Sequence, residues 1–308
     1  MPKVAYLFPG QGSQEPGMGR DVYEASAAAR AVFDEADAVL GFPLSRLCFE
    51  GPAAELTRTV NAQPAILVAS VAMLRAAQEL GPAALGGEPE LVAGHSLGEY
   101  SAVVAAGALP FADALRLVRR RGELMEQCGE LEPGTMAAVL GMDAEAVFAL
   151  AAEAGVEVAN VNAPGQVTVS GAAPGVLKAM ELAKERGASR VVQLDVSGAF
   201  HSRLMRPAQQ GLVAAVAAAP FADAAVPLVG NSTALLVQTA EGLRVELVQG
   251  LTRPVLWAAS VQAMAAEGVG RYVEIGPGRV LTGLVRRTVE GAKTANVNSL
   301  ASITKASE

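Results

Sequence analysis

Residues that hold metals or form disulfides are scarce in this chain, which has two cysteines and two histidines among 308 residues. Cys48 and Cys128 stand far apart, with no C-x-x-C pair. This pattern excludes a conventional zinc site and a disulfide framework. We therefore expect no bound metal, a Cys48 that packs as a small core residue, and a reducing compartment, the cytoplasm.

Dense positive charge is missing as well. The chain has 24 basic against 31 acidic residues, a net charge of −7, and no basic run that could neutralise a row of phosphates. No uninterrupted apolar segment reaches the length of a membrane span, and the stretch before Pro9 is too short for a secretion signal. The sequence thus predicts neither a nucleic-acid partner nor a membrane partner.

Aromatic residues make up only 4% of the chain, yet hydrophobic residues make up 51%, which is enough for a sizeable core. Apolar strands at 4–8 and 90–94 alternate with helical periodicity over 21–40 and with a long helix that starts near Pro64. This alternation favours an α/β fold with a parallel sheet.

Residues 134–195 differ from the rest of the chain, because their predicted elements have the order β-α-β-β-α-β of a ferredoxin-like unit. Such a unit can close a small core of its own. We therefore predict a large, discontinuous α/β-hydrolase-like domain with a parallel sheet, at 1–128 and 197–308. A small ferredoxin-like subdomain at 129–196 would be inserted into it.

The segment GHSLG at 94–98 follows a predicted strand and precedes a predicted helix, as in a nucleophile elbow. Its glycines permit a tight turn that forces Ser96 into an unfavourable backbone conformation and exposes its hydroxyl. The amide of Leu97 opens the following helix and could hold an oxyanion. The alternative is a glycine-flanked turn without chemistry, and the strand–turn–helix context favours the nucleophile.

A serine nucleophile needs a base, and the chain offers only His95 and His201. His95 is adjacent to Ser96, and neighbouring side chains on a sharp turn diverge, so we expect it to be packed and hydrogen-bonded. His201, in a loop of glycine and serine, is the candidate base by elimination. No carboxylate between Ser96 and His201 stands out as a third member, which leaves a gap in a simple hydrolase interpretation.

Arg121 lies in the apolar stripe of a predicted amphipathic helix. An arginine that faces the interior needs an anion, because an unpaired buried charge is costly. A substrate carboxylate would supply two parallel hydrogen bonds. An internal salt bridge or a snorkelling side chain fits the spacing equally well.

The glycine-rich loop FPGQGSQ at 8–14 is not a dinucleotide fingerprint, because Glu15 stands where the third glycine is required. Its backbone amides can still turn toward an anion or an oxyanion.

Taken together, these motifs resemble the family of malonyl-CoA:acyl-carrier-protein transacylases, in its free-standing bacterial form. The resemblance extends from the first strand to about residue 290. The motifs that carry it are FPGQGSQ at 8–14, GHSLGEYSA at 94–102, RG at 121–122, NAPGQVTVSG at 162–171, AFHS at 199–202, RPVLW at 253–257 and EIGPGRVLTGL at 274–284.

The resemblance implies a ping-pong acyl transfer. Ser96 is acylated by malonyl-CoA, and His201 is its base. The tetrahedral oxyanion is held by the backbone amides of Gln11 and Leu97. A phosphopantetheine thiol on the carrier protein then takes the malonyl group.

The resemblance also implies which residues bind and orient. Arg121 grips the free malonyl carboxylate. The backbone carbonyl of Gln249 orients the catalytic histidine and replaces the missing carboxylate. Phe200, Asn162 and His95 belong to the substrate pocket, where Phe200 would block an α-methyl group.

The implied substrates are malonyl-CoA and phosphopantetheinylated acyl carrier protein in fatty acid biosynthesis, with no cofactor. We expect a monomer that docks the acidic carrier protein through a local basic patch. Candidates for this patch are Lys178, Lys184, Arg190, Arg286 and Arg287.

Two rival functions remain open from the sequence. A serine esterase or thioesterase would share Ser96 and His201 but would have no use for Arg121. A non-catalytic module that binds carrier protein would tolerate the loss of Ser96.

Overall fold

In the computed structural model, which describes residues 3–306, the described strands form two separate sheets. The strands are β1 Lys3–Phe8, β2 Leu91–Gly94, β3 Gly134–Leu140, β4 Glu157–Ala163, β5 Gln166–Ala172, β6 Arg190–Gln193, β7 Leu228–Val229, β8 Leu236–Val237, β9 Val269–Ile275 and β10 Lys293–Val297. The helices are α1 Arg20–Ala25, α2 Ala27–Leu40, α3 Leu44–Glu50, α4 Ala53–Thr57, α5 Thr59–Glu79, α6 Gly98–Ala105, α7 Phe111–Leu131, α8 Ala144–Ala154, α9 Ala173–Glu185, α10 Arg206–Ala218, α11 Ala240–Gln249, α12 Trp257–Ala266, α13 Val280–Thr288 and α14 Leu300–Ala306.

The larger sheet has the strand order β10-β9-β1-β2-β7-β8. The pairs from β10 to β7 are parallel, and only the short edge strand β8 runs antiparallel. The register places Phe8, the last residue of β1, opposite Gly94, the last residue of β2. The loops that follow these two strands therefore leave the same edge of the sheet side by side, which brings the glycine-rich loop against the GHSLG turn.

The smaller sheet has the order β4-β5-β3-β6 with every neighbouring pair antiparallel, and α8 and α9 complete the β-α-β-β-α-β unit. A separate apolar cluster fills it, with Val139, Leu150 and Val167 among its fully buried members. The predicted fold class, a parallel α/β sheet with a ferredoxin-like unit, is confirmed. The domain bounds drawn from the sequence stay a prediction.

A backbone bridge joins this unit to the larger part. The amide of Val161 donates to the carbonyl of Val255, and the amide of Val255 donates to the carbonyl of Ala159, at 2.9 and 2.8 Å. This bridge ties β4 to the segment that leads into α12.

Helix α5 differs from the prediction, because it begins at Thr59 rather than near Pro64. Pro64 has no amide hydrogen, which frees the carbonyl of Val60 four residues earlier. The guanidinium of Arg119 donates to that carbonyl at 3.1 Å, so the helix tolerates its internal proline. The predicted helix over 21–40 also proves to be two helices, because Ser26 is extended and accepts from the amide of Ala29 as an N-cap.

Among the described residues, α5 is the one helix long and apolar enough to cross a membrane, with a mean hydropathy of 1.3. Asn61, Gln63 and Arg75 interrupt its apolar sequence, so α5 does not contradict the expectation that no uninterrupted apolar segment reaches this length. Since 94% of its most apolar stretch is buried inside the fold, α5 is a core helix.

We expect Gly98→Ala to destabilise the fold, because a Cβ at residue 98 would meet the backbone carbonyl oxygen of Phe8 at 2.1 Å. Relieving this overlap requires α6 to move away from β1, and the free energy of unfolding should fall by about 1–3 kcal/mol. Urea unfolding followed by circular dichroism measures the change.

Gly283→Ala is the matched control, since Gly283 lies within α13 and a Cβ there meets no atom within 4 Å. This variant should gain about 0.5–1 kcal/mol from helix propensity. Equal unfolding midpoints for Gly98→Ala and the unsubstituted protein would contradict the argument.

Candidate active site

Ser96 occupies a strained turn between β2 and α6. Its φ is 52°, in the left-handed region that residues with a side chain seldom adopt. The flanking glycines are required by close packing, because a Cβ on Gly94 would lie 1.9 Å from the carbonyl carbon of Gly98. The glycines at 94 and 98 thus let strand and helix approach closely enough to force the turn.

The Ser96 hydroxyl contacts the ring of His201, with Oγ 2.8 Å from Nε2. On the other side of the ring, Nδ1 lies 2.8 Å from the carbonyl oxygen of Gly250 and 3.2 Å from that of Arg253. Carbonyl oxygens only accept, so Nδ1 carries the hydrogen and Nε2 offers its lone pair to the serine. This tautomer is the one that can remove the serine proton.

The expectation for Gln249 is wrong by one residue. Gln249 ends α11, and its carbonyl accepts from the amides of Thr252 and Arg253, both at 3.1 Å. These turn hydrogen bonds direct it away from His201, whereas the next carbonyl, that of Gly250, faces the ring. A second carbonyl, that of Arg253, was not expected.

Burial and nearby positive charge keep His201 neutral. The side chain is 5% exposed, and desolvation together with the Arg121 cation lowers its pKa to about 3. The carbonyls of Gly250 and Arg253 oppose this shift without cancelling it. The imidazole is therefore unprotonated, with a free lone pair, throughout the physiological pH range.

Arg121 is buried, 3% exposed, with its guanidinium aimed at the serine. One nitrogen donates to the Gln63 side-chain oxygen at 2.7 Å and another to Ser96 Oγ at 3.1 Å, while Nε has no partner among the described residues. The internal salt bridge that the sequence left open is not formed in the described part of the chain. Glu99 lies nearby, but burial raises its pKa well above the usual range, so it supplies little opposing charge.

The two expected oxyanion donors lie beside the serine. Gly10 packs so closely on the turn that a Cβ would lie 2.4 Å from the His95 carbonyl oxygen, and the next residue, Gln11, lines the same cavity as Ser96. The Gln11 side chain is held by Thr59 at 3.1 Å. Within residues 3–306, the amides of Gln11 and Leu97 have no hydrogen-bond acceptor, so both are available to an oxyanion.

A cavity of about 400 Å³ opens over the serine. Phe200 and His95 line it, as expected, but Asn162 does not. The Asn162 side chain instead holds His95 Nε2 at 2.8 Å, and the His95 ring lies 5.6 Å from that of Trp257. Asn160, two residues earlier on β4, lines the cavity in place of Asn162.

Two further polar residues at the site were not foreseen. Gln63 is fully buried and orients Arg121 from α5. Asn231 follows β7 and contacts the backbone of the serine turn. A polar side chain in an otherwise apolar helix face was the one sequence signal for Gln63, whereas Asn231 offered none.

The candidate basic residues for carrier-protein docking are all exposed but do not line the cavity. Some are held by neighbours: Arg287 donates to Gln166 and to the Pro164 carbonyl, and Lys178 to the Glu153 carbonyl. Among residues 3–306, no group of three or more histidine, cysteine, aspartate or glutamate side chains is placed to hold a metal.

A parallel α/β sheet with a strained serine between strand and helix, paired with a neutral histidine, defines the class of α/β proteins with a nucleophile elbow. Residues 5–306 match the family described as acyl transferase domain. The chain is 48% identical over 303 residues to the malonyl CoA-acyl carrier protein transacylase of Bacillus subtilis strain 168, which covers 97% of this chain and 94% of that protein. It is 41% identical over 312 residues to the protein of the same name from Escherichia coli K12, with full coverage of both.

Solved structures agree with these matches. The acyl-carrier-protein S-malonyltransferase of Burkholderia pseudomallei has a TM-score of 0.95 at 42% identity, covering 99% of each chain. A malonyl-transacylase in complex with its type II PKS acyl-carrier protein has a TM-score of 0.94 at 42% identity, covering 99% of this chain and 98% of that one. The chain belongs to the acyl transferase family and, within it, to the malonyl CoA-acyl carrier protein transacylases.

The lowered pKa of His201 predicts the pH dependence of serine reactivity. The rate at which a sulfonyl fluoride modifies Ser96 follows the fraction of neutral His201, so it should stay nearly constant from pH 8 down to pH 5. His201→Ala should slow the modification about a hundredfold at every pH. A rate that halves near pH 6.5, the ordinary value for histidine, would contradict the assignment.

Proposed function

We propose that this protein transfers a malonyl group from malonyl-CoA to the phosphopantetheine thiol of an acyl carrier protein, through a malonyl ester on Ser96. One observation carries the proposal. The Ser96 hydroxyl lies 2.8 Å from a neutral imidazole and 3.1 Å from a buried guanidinium that lacks a carboxylate partner in the described chain. A nucleophile, its base and an anion receptor therefore meet at one oxygen atom.

The relatives support the same substrates. The proteins from Bacillus subtilis and Escherichia coli are named for malonyl CoA and acyl carrier protein, and one solved relative is held in complex with a carrier protein. The likeness spans nearly the whole of each chain, so it covers every element that builds the site.

Acylation begins when the Ser96 oxygen attacks the thioester carbonyl of malonyl-CoA and His201 Nε2 takes the hydroxyl proton. The amides of Gln11 and Leu97 stabilise the resulting oxyanion. When the carbon–sulfur bond breaks, the thiolate of coenzyme A leaves with the proton from His201. Malonyl-Ser96 and a neutral histidine remain.

The second half repeats these steps with another thiol. The phosphopantetheine thiol gives its proton to His201, and its sulfur attacks the ester carbonyl. The Ser96 oxygen then leaves and recovers the proton. The carbonyls of Gly250 and Arg253 hold Nδ1–H throughout and stabilise the transient imidazolium. These steps need no cofactor, and we place them in the cytoplasm, in fatty acid biosynthesis.

Arg121 links substrate choice to base strength. Only one methylene separates the ester carbonyl of malonyl-Ser96 from the free carboxylate, so a guanidinium 3.1 Å from Oγ is within reach of that carboxylate. Because the Arg121 cation is one cause of the low pKa of His201, pairing it with a carboxylate raises that pKa. A malonyl substrate thus strengthens the base that acts on it, and an acetyl substrate does not.

A serine hydrolase is the alternative, and the burial of Arg121 argues against it. A hydrolase that releases simple acids gains nothing from a guanidinium buried at the nucleophile, while the fold bears the cost of burying it.

Radiolabelled malonyl-CoA separates the alternatives. We expect the protein to retain label as an ester, to pass it to phosphopantetheinylated carrier protein, and to release little free malonate. Ser96→Ala should retain no label. Ser101→Ala is the matched control, since that serine is buried on α6, the helix that follows the Ser96 turn, and its hydroxyl has no partner among the described residues. Steady release of malonate would favour the hydrolase, and labelling of Ser96→Ala would exclude a Ser96 ester.

Arg121→Ala should lower kcat/KM for malonyl-CoA about a hundredfold or more, because it removes the buried partner of the carboxylate. The ratio of acetyl to malonyl transfer should rise, since acetyl never used the guanidinium. Arg116→Ala is the control: Arg116 lies on the exposed side of α7 and, within residues 3–306, its one ion-pair partner is Asp113. Unchanged selectivity in Arg121→Ala would remove Arg121 from substrate recognition.

A further inference from the structure

Asn231 grips the serine turn from the neighbouring strand. It follows β7, which pairs with β2, and it is 1% exposed. Its Oδ1 accepts from the amide of Ser96 at 2.6 Å, and its Nδ2 donates to the carbonyl of Gly94 at 2.7 Å. One side chain thus holds the amide of the nucleophile and the last carbonyl of the strand before it.

The orientation of this side chain is fixed by chemistry. A backbone amide can only donate and a carbonyl can only accept, so the oxygen must face Ser96 and the nitrogen must face Gly94. The Asn231 backbone is equally committed: its amide donates to Glu99 at 2.9 Å, and its carbonyl accepts from Leu256 at 2.8 Å. With all four of its polar groups paired, Asn231 cannot turn without breaking buried hydrogen bonds.

The next residues anchor the same segment. Glu246, on α11, accepts from both the amide and the hydroxyl of Ser232, at 2.7 and 2.9 Å. Gly230 packs on Glu246 so closely that a Cβ would lie 2.8 Å from its carboxyl carbon. The segment 230–232 is therefore tied to α6 through Glu99 and to α11 through Glu246.

The mechanism explains why the Ser96 turn needs the two hydrogen bonds with the Asn231 side chain, which we call the Asn231 clamp. At a φ of 52°, the Ser96 amide has no backbone acceptor in residues 3–306, and the side-chain oxygen of Asn231 accepts its hydrogen bond instead. Without this acceptor, the buried Ser96 amide would be unpaired, so relaxation of the strained turn would lower the free energy. That relaxation would rotate Oγ away from His201. The clamp also commits the Ser96 amide, so that the adjacent Leu97 amide is the one left for the oxyanion.

We infer that Asn231 is a positioning residue for acyl transfer, which holds Ser96 in the strained conformation that aligns its hydroxyl with His201 and leaves the Leu97 amide for the oxyanion. This inference rests on the proposed function for its kinetic consequences. The contact itself can be tested without substrate.

Asn231→Ala should lower kcat for malonyl transfer about a hundredfold, the size of effect that misplacement of a reacting group produces. KM for malonyl-CoA should stay within about twofold, because Asn231 does not line the cavity. Ser260→Ala is the matched control: Ser260 is buried and donates to the Gly230 carbonyl at 3.3 Å but does not touch the serine turn. It should keep full activity.

The pH dependence of kcat in Asn231→Asp distinguishes a positioning role from a loss of stability alone. Only a protonated aspartic acid can donate to the Gly94 carbonyl, so kcat of this variant should rise about tenfold as pH falls from 9 to 6. Burial and the carboxyl group of Glu246 oppose ionisation at residue 231, while the Arg121 cation favours it. Glu99, whose pKa is raised by burial, adds little charge, and His201 is neutral over this range. The unsubstituted protein should show no such rise.

Amide hydrogen exchange measures directly whether Asn231 protects the Ser96 amide. We expect the Ser96 amide to exchange at least about tenfold faster in Asn231→Ala, with Ser260→Ala unchanged. Unaltered exchange, a kcat within twofold in Asn231→Ala, or a pH-independent Asn231→Asp would each overturn the inference. If the unsubstituted protein formed no malonyl ester, the proposed function would be wrong. The exchange rates would still show whether Asn231 holds the Ser96 amide.

Discussion

The left-handed backbone of Ser96 is the constraint on which the rest of the site depends. It exists because β1, β2 and α6 approach more closely than any side chain at residue 94 or 98 would permit. A turn under strain persists only when its surroundings determine it from several directions. Here the parallel register of β1 and β2 restrains the turn on one side. The glycine-rich loop, which packs on the His95 carbonyl, restrains it on another.

Electrostatics adds a second constraint, because the site buries a cation beside its base. Burial costs free energy for Arg121, whose hydrogen bonds go to uncharged atoms of Gln63 and Ser96. That cost is offset when an anion enters, so the site favours a substrate with a free carboxylate over one without it. Together with burial, the larger cause, the same cation lowers the pKa of His201 and keeps its ring unprotonated. Substrate selection and base strength thus depend on one guanidinium.

The sequence predicts features that local spacing encodes. The serine turn follows from GHSLG between strand and helix, the ferredoxin-like unit from its alternating elements, and the inward direction of Arg121 from its place in an apolar stripe. It does not encode which carbonyl at the end of α11 faces His201. Gln249 and Gly250 are adjacent, and the path of the turn after the helix decides which of their carbonyls points at the ring. Nor does the sequence reveal Gln63 or Asn231, whose partners lie 58 and 135 residues away.

Chain order explains how a base so far from its serine becomes aligned. His201 lies just after the ferredoxin-like unit and, like Ser96, has a positive φ, 57°. Its ring is held by carbonyls between α11 and α12, the same segment whose Val255 bridges to β4 of the inserted unit. The connection entering α12 thus contacts both the catalytic ring and the small sheet. Any shift of the small sheet that moved this connection would also move the acceptors of Nδ1, so the packing of the two sheets helps to set the geometry of the base.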